Sequence, residues 1–472
     1  MSIGLAQEKF PPLGHVCLTL DAFPDLTALH QAHPDRYPHL LESAARGTAQ
    51  ARYDILFAFP EGTIMLDAGH RLYRNGELLG QGKFLEAFDR EWRRDVLPPG
   101  TGKDLTRQGV PLPFTGGWFV FLGYELASEI EPVLTNIPRN GTLPIASATR
   151  IPAAVVRDHA TRAAHLVCEA DKQHALLPLM QDDIESMREG DDSPFDMAAV
   201  LEERPAQFLD GVRRVQDYIR AGDVFQVNLS RLWRAELGRP TDPIHLYRRL
   251  RAANPAPFAG LMTFGGDRAI ISSSPERLVH VNRRTVRTRP IAGTYPRSND
   301  PEQDRAWSHE LLGHPKERAE HVMLIDLERN DLGRVCRPGT VKVSELMALE
   351  SYRHVHHIVS EIRGELRQGI TPAQIFRALF PGGTITGCPK VRCMEIIAEL
   401  EQTARGPYTG SMGYVNRDGS LDLNILIRTL VQNGKDIHLR AGAGIVADSI
   451  PERELQETRA KAKGLLAALE AM

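Results

Sequence analysis

Two pairs of glutamates in this chain have a spacing that could bring carboxylates together for chemistry. Glu317 and Glu320 lie three residues apart in KERAEHVMLIDLERND, and Glu454 and Glu457 lie three residues apart in PERELQETRAKAKGLL. Side chains at this spacing share one face of a helix. Two such faces that meet would offer the oxygen ligands that Mg²⁺ prefers, whereas faces that do not meet would be ordinary solvated surface.

A lysine and two glycine-rich segments could complete a site for an anionic ligand. Lys461 follows Glu457 by four residues, so it either pairs with that carboxylate or reaches a carboxylate of the substrate. Segment 380–397, FPGGTITGCPKVRCMEII, leads a Gly/Thr loop into a helix, whose first N–H groups favour anions. Segment 439–449, LRAGAGIVADS, has glycines that let a strand backbone approach a ligand closely. An ordinary strand–turn–helix connection and a tight bend are the structural alternatives.

A carboxylic acid and a histidine cluster are further candidates. Glu276 follows a Ser-Pro turn in SSSPERLV, where an apolar environment would raise its pKa and make it a general acid; exposed turn surface is the alternative. His354, His356 and His357 in HVHHIVS invite a zinc site. We reject that site, because strand alternation places His357 opposite the other two and no Cys or Asp lies at ligand spacing.

The elements that must position these residues are mixed along the chain. Apolar alternation and turn residues predict strands at 53–59, 116–124, 162–168, 224–229, 259–264, 269–273 and 277–281. Helical periodicity predicts helices at 207–221, 301–330, 372–380, 389–401 and 451–471. The acidic segment 181–204 is predicted to be an exposed connection. Hairpin-like strand pairs mixed with helices favour an α+β fold, with antiparallel sheets and helices packed outside.

The composition is that of a globular protein without an obvious charged partner. The 472 residues are 42% hydrophobic and 25% charged, with a net charge of −3, so neither nucleic acid nor an anionic membrane is an expected partner. The five cysteines are scattered, which fits a reducing compartment. The sequence shows neither a secretion signal nor a membrane-spanning apolar stretch, so we expect a cytoplasmic protein.

Together these segments resemble the chorismate-utilising enzymes, which include anthranilate synthase component I, aminodeoxychorismate synthase component I, and the isochorismate and salicylate synthases. The resemblance is dense from about residue 205 to residue 465. It implies a large α+β sandwich of antiparallel β-sheets with helices packed outside. We divide the chain into an N-terminal sheet region at 1–200 and a chorismate-binding catalytic region at 201–472, which we expect to intertwine in one domain.

The resemblance also implies a role for each residue of the candidate site. Glu276 matches the general acid that protonates the departing C4 hydroxyl of chorismate, and His357 matches a residue beside the ring and the leaving group. The positions that match those holding the two carboxylates of chorismate are Thr384, Tyr408, Arg428, Gly442 and Lys461. Magnesium would be bound directly by Glu320 and Glu457, with Glu317 and Glu454 close by and acting through waters.

Gln226, in GDVFQVNLSR, bears on the type of reaction. The branches of the family that add water carry a lysine base at the matching position, and a glutamine cannot take a proton from water. Ammonia is already a nucleophile, so amination is the expected reaction. No G-x-C-x-G nucleophile elbow is visible, which means that ammonia must come from a separate glutamine amidotransferase subunit.

The identity of the amino product depends on conflicting signals. Four of them resemble the aminodeoxychorismate branch: Asn228, NPAPFAG at 254–260, GGWF at 116–119 and PGGTITG at 381–387. Ala292 in RPIAGTYPR resembles the anthranilate branch, because many aminodeoxychorismate synthases carry a nucleophilic lysine there. We predict 4-amino-4-deoxychorismate, for 4-aminobenzoate and folate synthesis. Anthranilate, for tryptophan synthesis, is the alternative.

The segment LLES at 40–43 resembles the tryptophan pocket of the family, with Leu41, Glu42 and Ser43 as the candidate contacts. A helix end with Ser43 near its cap is the structural alternative. A catalytically inactive sensor of tryptophan or chorismate is a functional alternative. The presence of Glu276 and Lys461 argues against it, since a sensor needs no general acid.

Overall fold

The computed structural model of the chain describes residues 14–45, 51–97, 112–139, 141–188, 190, 197–298, 300–351 and 355–470. Strands and helices alternate irregularly along these ranges. The strands are β1 His15–Leu20, β2 His39–Glu42, β3 Tyr53–Ala58, β4 Gly62–Leu66, β5 Arg71–Arg74, β6 Glu77–Gln81, β7 Gly117–Leu122, β8 Ala146–Ile151, β9 Ala153–Asp158, β10 Ala163–Glu169, β11 Met197–Glu202, β12 Gln226–Leu237, β13 Phe258–Thr263, β14 Arg268–Ser274, β15 Arg277–Asn282, β16 Thr285–Thr288, β17 Ile291–Pro296, β18 Lys342–Ser351, β19 Val355–Glu365, β20 Gly387–Cys388, β21 Ser411–Asn416, β22 Leu421–Asn424, β23 Thr429–Asn433 and β24 Asp436–Ile445.

The helices connect and flank these strands. They are α1 Leu26–Ala32, α2 Phe84–Asp95, α3 Ala127–Ile130, α4 Gln173–Glu185, α5 Pro205–Arg220, α6 Pro243–Ala253, α7 Pro301–Gly313, α8 Pro315–Gly333, α9 Pro372–Leu379, α10 Lys390–Glu401 and α11 Pro451–Leu469, with single 3₁₀ turns at Tyr124–Leu126 and Gly383–Ile385. None of the helices in the described ranges combines the length and the apolar character needed to cross a membrane.

In the described ranges the strands form two antiparallel sheets, each of 12 strands. The first has the order β1-β10-β9-β3-β2-β13-β14-β23-β24-β12-β11, with β20 also paired to β12. The second has the order β17-β19-β16-β15-β22-β21-β7-β8-β4-β5-β6, with β18 paired to β19. Both sheets therefore contain strands from 1–200 and from 201–472, and the proposed division at residue 200 stays a description of the sequence.

The two sheets pack face to face, and the helices cover their outer faces. Phe57 on β3 of the first sheet meets Phe119 on β7 of the second, with ring centroids 5.0 Å apart. Strand β7 shows how alternation builds both layers, because Phe119 and Phe121 point between the sheets while Val120 points toward the helices. The predicted α+β sandwich with outer helices is confirmed.

Several predicted boundaries were wrong, for local physical reasons. The helix predicted at 301–330 is two helices, because Pro315 lacks an N–H and His314 before it is extended. The strand predicted at 224–229 begins at Gln226 and continues to Leu237. The segment predicted as a connection at 181–204 contains the end of α4 and all of β11; residues 189 and 191–196 lie outside the described ranges.

Helix α2 of the N-terminal region and helix α9 of the C-terminal region share one apolar cluster on the second sheet. Phe88 is fully buried, with its ring 5.9 Å from that of Phe376 on α9 and 5.9 Å from that of Trp118 on β7. The cluster joins Phe88 to Phe376, which is almost 300 residues further along the sequence.

We predict that Phe88→Ala lowers the free energy of unfolding by about 3–5 kcal/mol, because it leaves a cavity where no side chain can collapse easily. Denaturant unfolding measures the loss. Phe225→Ala, at a side chain that is 67% exposed, is the matched control and should change stability by about 0.5 kcal/mol or less. Equal losses in the two variants would contradict the shared cluster.

Candidate active site

A cavity of about 140 Å³ collects most of the residues that the sequence singles out. It lies where β12 and β24 of the first sheet approach the ends of β14, β17 and β19 and the 3₁₀ turn before β20. Its lining contains Asn228, Pro275, Glu276, Ile291, His357, Thr384, Ile385, Tyr408, Ile427, Arg428, Arg440, Ala441, Gly442 and Lys461. The structure thus brings together Glu276, His357 and all five positions expected to hold the carboxylates of the substrate.

Glu276 lies between β14 and β15 and is buried, 4% exposed, so the alternative of exposed turn surface is wrong. Its Oε1 accepts a hydrogen bond of 2.8 Å from the Thr384 hydroxyl. Burial raises the pKa of Glu276 to about 7, although the hydrogen bond from Thr384 and the charges of Lys461 and Arg428 act in the opposite direction. A carboxyl with this pKa holds a proton in a substantial fraction of molecules at neutral pH, which a general acid requires.

His357 faces the cavity from β19. Burial lowers its pKa to about 3, with a further contribution from Arg428, so the imidazole is neutral at physiological pH. His356 points to the opposite side of the strand, where its ring nitrogens lie 2.7 Å from the Ser351 hydroxyl and 3.0 Å from Asp304. His354 lies outside the described residues.

Three cationic side chains line the cavity, Arg428, Arg440 and Lys461, and a dianionic ligand needs such charges. Lys461 on α11 donates to the Gly442 carbonyl at 3.0 Å and pairs with Glu457 at 2.7 Å, so it contacts that local carboxylate while lining the cavity. Arg428 has a left-handed backbone, with φ of 51°. Such a conformation is uncommon for a residue with a side chain. Tyr408 completes this wall, and burial raises its pKa to about 12.

A buried ionic cluster supports the cavity from behind. Glu401, at the end of α10, accepts hydrogen bonds from Arg405 at 2.6 Å and from Arg440 at 2.8 Å. Burial alone would raise the pKa of Glu401, but the two guanidinium groups hold it below its usual value. The Arg405 guanidinium carbon also lies 5.4 Å from the centroid of the Tyr408 ring, so the cluster fixes a residue of the cavity wall.

Two predicted site residues lie beside the cavity and not in its lining. Gln226 begins β12, two residues before Asn228, and is buried. Ala292 follows Ile291 on β17 and pairs with Ile358, the neighbour of His357. The structure therefore places both next to cavity-lining residues without bringing them into the lining.

The four glutamates of the predicted metal site also lie outside the lining. Glu317 on α8 is close to Gly293 on β17, where a Cβ would lie 2.9 Å from its Oε2. On α11, Glu457 is exposed but Glu454 is buried. The alternative of a solvated helix face is therefore wrong for Glu454. Within the described ranges, no three His, Cys, Asp or Glu side chains are grouped closely enough to hold a metal ion.

Leu41, Glu42 and Ser43 border a separate cavity of about 100 Å³, together with Pro257 and Phe258. Leu41 and Glu42 belong to strand β2 and Ser43 follows its end, so the alternative of a helix end at Ser43 is wrong. Ser43 donates from its hydroxyl to the Pro257 carbonyl at 3.2 Å. The Glu42 carboxylate is bound by the Tyr247 hydroxyl at 2.6 Å, besides two arginines.

Asn228 and Arg440 line the cavity although the sequence did not predict them as site residues. Strand alternation could have found both, because Asn228 shares a strand face with Gln226, and Arg440 shares one with Gly442. The cluster of Glu401 and Arg405 carries no such signal, since charged residues near a helix end are ordinarily exposed.

The sequence matches the family described as chorismate binding enzyme over residues 46–467. It is 40% identical to anthranilate synthase component 1 of Streptomyces coelicolor over 95% of this chain and 87% of that protein. It is 38% identical to aminodeoxychorismate synthase component 1 of Bacillus subtilis over 92% of each. The structure of anthranilate synthase component I from Streptococcus pneumoniae superposes with a TM-score of 0.75 at 34% identity, covering 89% of this chain and 93% of that one. The chain belongs to the chorismate-binding enzyme family.

Proposed function

We propose that this chain aminates chorismate to 4-amino-4-deoxychorismate, as component I of an aminodeoxychorismate synthase. The observation that carries the proposal is the shared cavity of Glu276, whose pKa is about 7, and the cations Arg428 and Lys461. Chorismate has two carboxylates and a C4 hydroxyl that leaves only when protonated. A cavity with cationic side chains and one buried acid has the matching chemistry.

In the proposed reaction each residue has one task. Arg428 and Lys461 neutralise the carboxylates of chorismate, with the Tyr408 hydroxyl as a further donor. Glu276 gives its proton to the C4 oxygen, the C4–O bond breaks, and the oxygen leaves as water. Neutral His357 lies beside the ring and adds no charge that would compete with the two cations. Gln226 cannot act as a base, which favours ammonia over water as the nucleophile.

Ala292 requires a route without a protein-bound adduct. In the proposed route, ammonia or another small nucleophile forms a bond at C2, the ring double bonds shift, and the C4 oxygen leaves as water. A second ammonia then bonds at C4 while the group at C2 departs, so that the net change replaces one hydroxyl with one amino group. An intact-mass spectrum that shows a covalent protein–substrate adduct would exclude this route.

Magnesium is part of the proposal, with Glu320 and Glu457 as ligands and Glu317 and Glu454 close by. The donors fit the ion in kind, because carboxylate oxygens are the ligands that Mg²⁺ prefers. Helix α11 lines the cavity through Lys461, which contacts Glu457, and on α8 Glu317 lies beside Gly293, one residue from the strand partner of His357. When bound there, the ion would neutralise negative charge on the substrate.

The proposal includes a partner and a compartment. Ammonia would come from a separate glutamine amidotransferase subunit, because the sequence has no nucleophile elbow for glutamine hydrolysis. A cytoplasmic location stays a prediction from the sequence.

Anthranilate synthesis is the second candidate, and Ala292 is the residue that favours it. Several similar relatives, including the one from Streptomyces coelicolor, carry the name anthranilate synthase component 1. We prefer the aminodeoxychorismate product because Asn228 puts an amide in the cavity lining and three further segments resemble that branch.

The product assay separates these candidates. We predict that the purified chain, given chorismate, magnesium and ammonium at mildly alkaline pH, yields 4-aminobenzoate only when aminodeoxychorismate lyase is added. Chromatography of the two mixtures measures it. Anthranilate formed without lyase would establish the second candidate, and no turnover in either mixture would favour a catalytically inactive sensor.

The pH dependence tests Glu276 as the acid. At a fixed concentration of un-ionised ammonia, kcat/KM for chorismate should fall as pH rises through about 7, because the carboxyl must be protonated to act. Glu276→Gln should lower kcat by about 10²–10⁴ and retain chorismate binding. Glu129→Gln is the matched control, since burial also raises the pKa of Glu129, but this carboxylate accepts from the Phe84 and Leu85 N–H groups and does not line the cavity. Loss of the same pH limb in the control would refute the assignment.

Tryptophan binding at Leu41, Glu42 and Ser43 is a separate prediction. If the cavity of about 100 Å³ takes the amino acid, added tryptophan should raise the melting temperature by a few degrees, because a ligand that binds only the folded state stabilises it. Phenylalanine at the same concentration is the control. No shift, together with no tryptophan copurifying with the protein, would end this prediction.

A further inference from the structure

Glu125 is a buried carboxylate that the proposed reaction does not use. It lies in the 3₁₀ turn after β7, in the N-terminal region, and is 4% exposed. Its Oε1 accepts hydrogen bonds from the backbone N–H groups of Arg405 at 2.8 Å and of Gly406 at 2.9 Å. A buried carboxylate is costly unless hydrogen bonds compensate for the lost water, so these two donors explain how the core accommodates it.

Tyr124, the residue before Glu125, contacts the same backbone turn. Its N–H donates to the Gly406 carbonyl at 2.9 Å, and its ring centroid lies 4.8 Å from the guanidinium carbon of Arg405. Gly406 has a φ of 59°, a left-handed conformation that glycine adopts readily. Three hydrogen bonds therefore join residues 124 and 125 to a turn that lies 280 residues further along the sequence.

From this turn, Arg405 reaches three parts of the cavity wall. Its guanidinium donates to the Asn228 carbonyl on β12 at 2.7 Å and to the Ile385 carbonyl in the 3₁₀ turn before β20 at 3.3 Å. Its own carbonyl accepts from the Tyr408 N–H at 3.1 Å. Asn228, Ile385 and Tyr408 all line the cavity. The position of the Arg405 backbone, which Glu125 binds, therefore affects all three.

We propose that Glu125 is a positioning residue for chorismate binding. It fixes the Arg405 backbone, and through Arg405 it holds the part of the cavity wall that carries Tyr408. The inference rests on the proposed binding of chorismate in this cavity, and it makes that binding depend on a residue of the N-terminal region that does not line the cavity. Misplacement of such a wall by about 1 Å can cost about 10²-fold in rate or affinity.

The effect should appear in substrate binding more than in the chemical step. Tyr408 is a proposed donor to the carboxylates of chorismate, so a displaced turn weakens the grip on the substrate. Glu276, the proposed acid, is held by the Thr384 hydroxyl at 2.8 Å, and neither residue belongs to the turn. The two contributions can therefore be separated by measuring affinity and kcat independently.

The test compares two substitutions of Glu125. In Glu125→Met, which keeps the length of the side chain and removes the acceptor, the Kd for chorismate with magnesium and without ammonia should rise about tenfold or more, the scale of one lost hydrogen bond. At saturating chorismate, kcat should stay within about threefold of the wild-type value. Glu125→Gln, which keeps an acceptor oxygen, should return Kd to within about threefold of wild type. Isothermal calorimetry and steady-state kinetics measure the two quantities.

Glu129→Met is the matched control. Glu129 is a buried carboxylate four residues later that also accepts from two backbone N–H groups, those of Phe84 at 2.7 Å and Leu85 at 2.9 Å, but it does not line the cavity. Both Met variants leave buried N–H groups unpaired, so both should lower the melting temperature. Only Glu125→Met should weaken chorismate binding, which a purely structural role would not predict.

An unchanged Kd in a folded Glu125→Met variant would overturn the inference, as would an equal loss of chorismate affinity in Glu129→Met. A wild-type chain that does not bind chorismate would instead defeat the proposed function. If Glu125→Met does not fold, as judged by its melting temperature, Glu125→Asp decides, because its side chain is one methylene shorter and draws the carboxylate away from both N–H groups. A wild-type Kd in that variant contradicts the inference.

Discussion

The Glu401 carboxylate, buried between the guanidinium groups of Arg405 and Arg440, is the interaction on which the active-site cavity depends. It joins the end of α10 to β24 through Arg440 and to β12 through the Ser230 N–H, which donates at 2.8 Å. Arg405 extends the cluster to the Tyr408 ring. Removing one partner of such a cluster leaves an uncompensated buried charge, which typically costs about 3–5 kcal/mol. The wall of the cavity therefore rests on ionic contacts that are buried.

The positions of many strands and helices could be predicted from the sequence, but the order in which the strands pair could not. Alternating apolar residues and turn residues identified β3, β7, β10 and β13 to within two residues at each end, because strand period and turn chemistry are local properties. The order of strands is not local, since β1 pairs with β10 and β2 pairs with β13 across more than a hundred residues. The break between α7 and α8 had a visible signal in Pro315, but the helical pattern on both sides concealed it.

The site was predictable where a motif places several chemically distinct residues together. Glu276 and Lys461 are far apart in the catalytic region, so their spacing could not show that they share a site. The resemblance to chorismate-utilising enzymes placed them together. Asn228 was noted in the sequence only as a sign of one branch, because the burial of an amide oxygen without a donor is visible only in three dimensions. Arg405 was missed for a similar reason: sequence patterns treat a charged residue as surface, whereas here it is enclosed.

In the proposed reaction, chorismate binds in the cavity of Glu276 with its C4 hydroxyl against that acid. A crystal structure of Glu276→Gln with chorismate and magnesium tests it most directly, because this variant should bind the substrate without consuming it. We expect chorismate in the cavity, with its carboxylates at Arg428 and Lys461 and its C4 oxygen in contact with the side chain at position 276. Chorismate bound in another cavity, or in this one with C4 directed away from position 276, would contradict it.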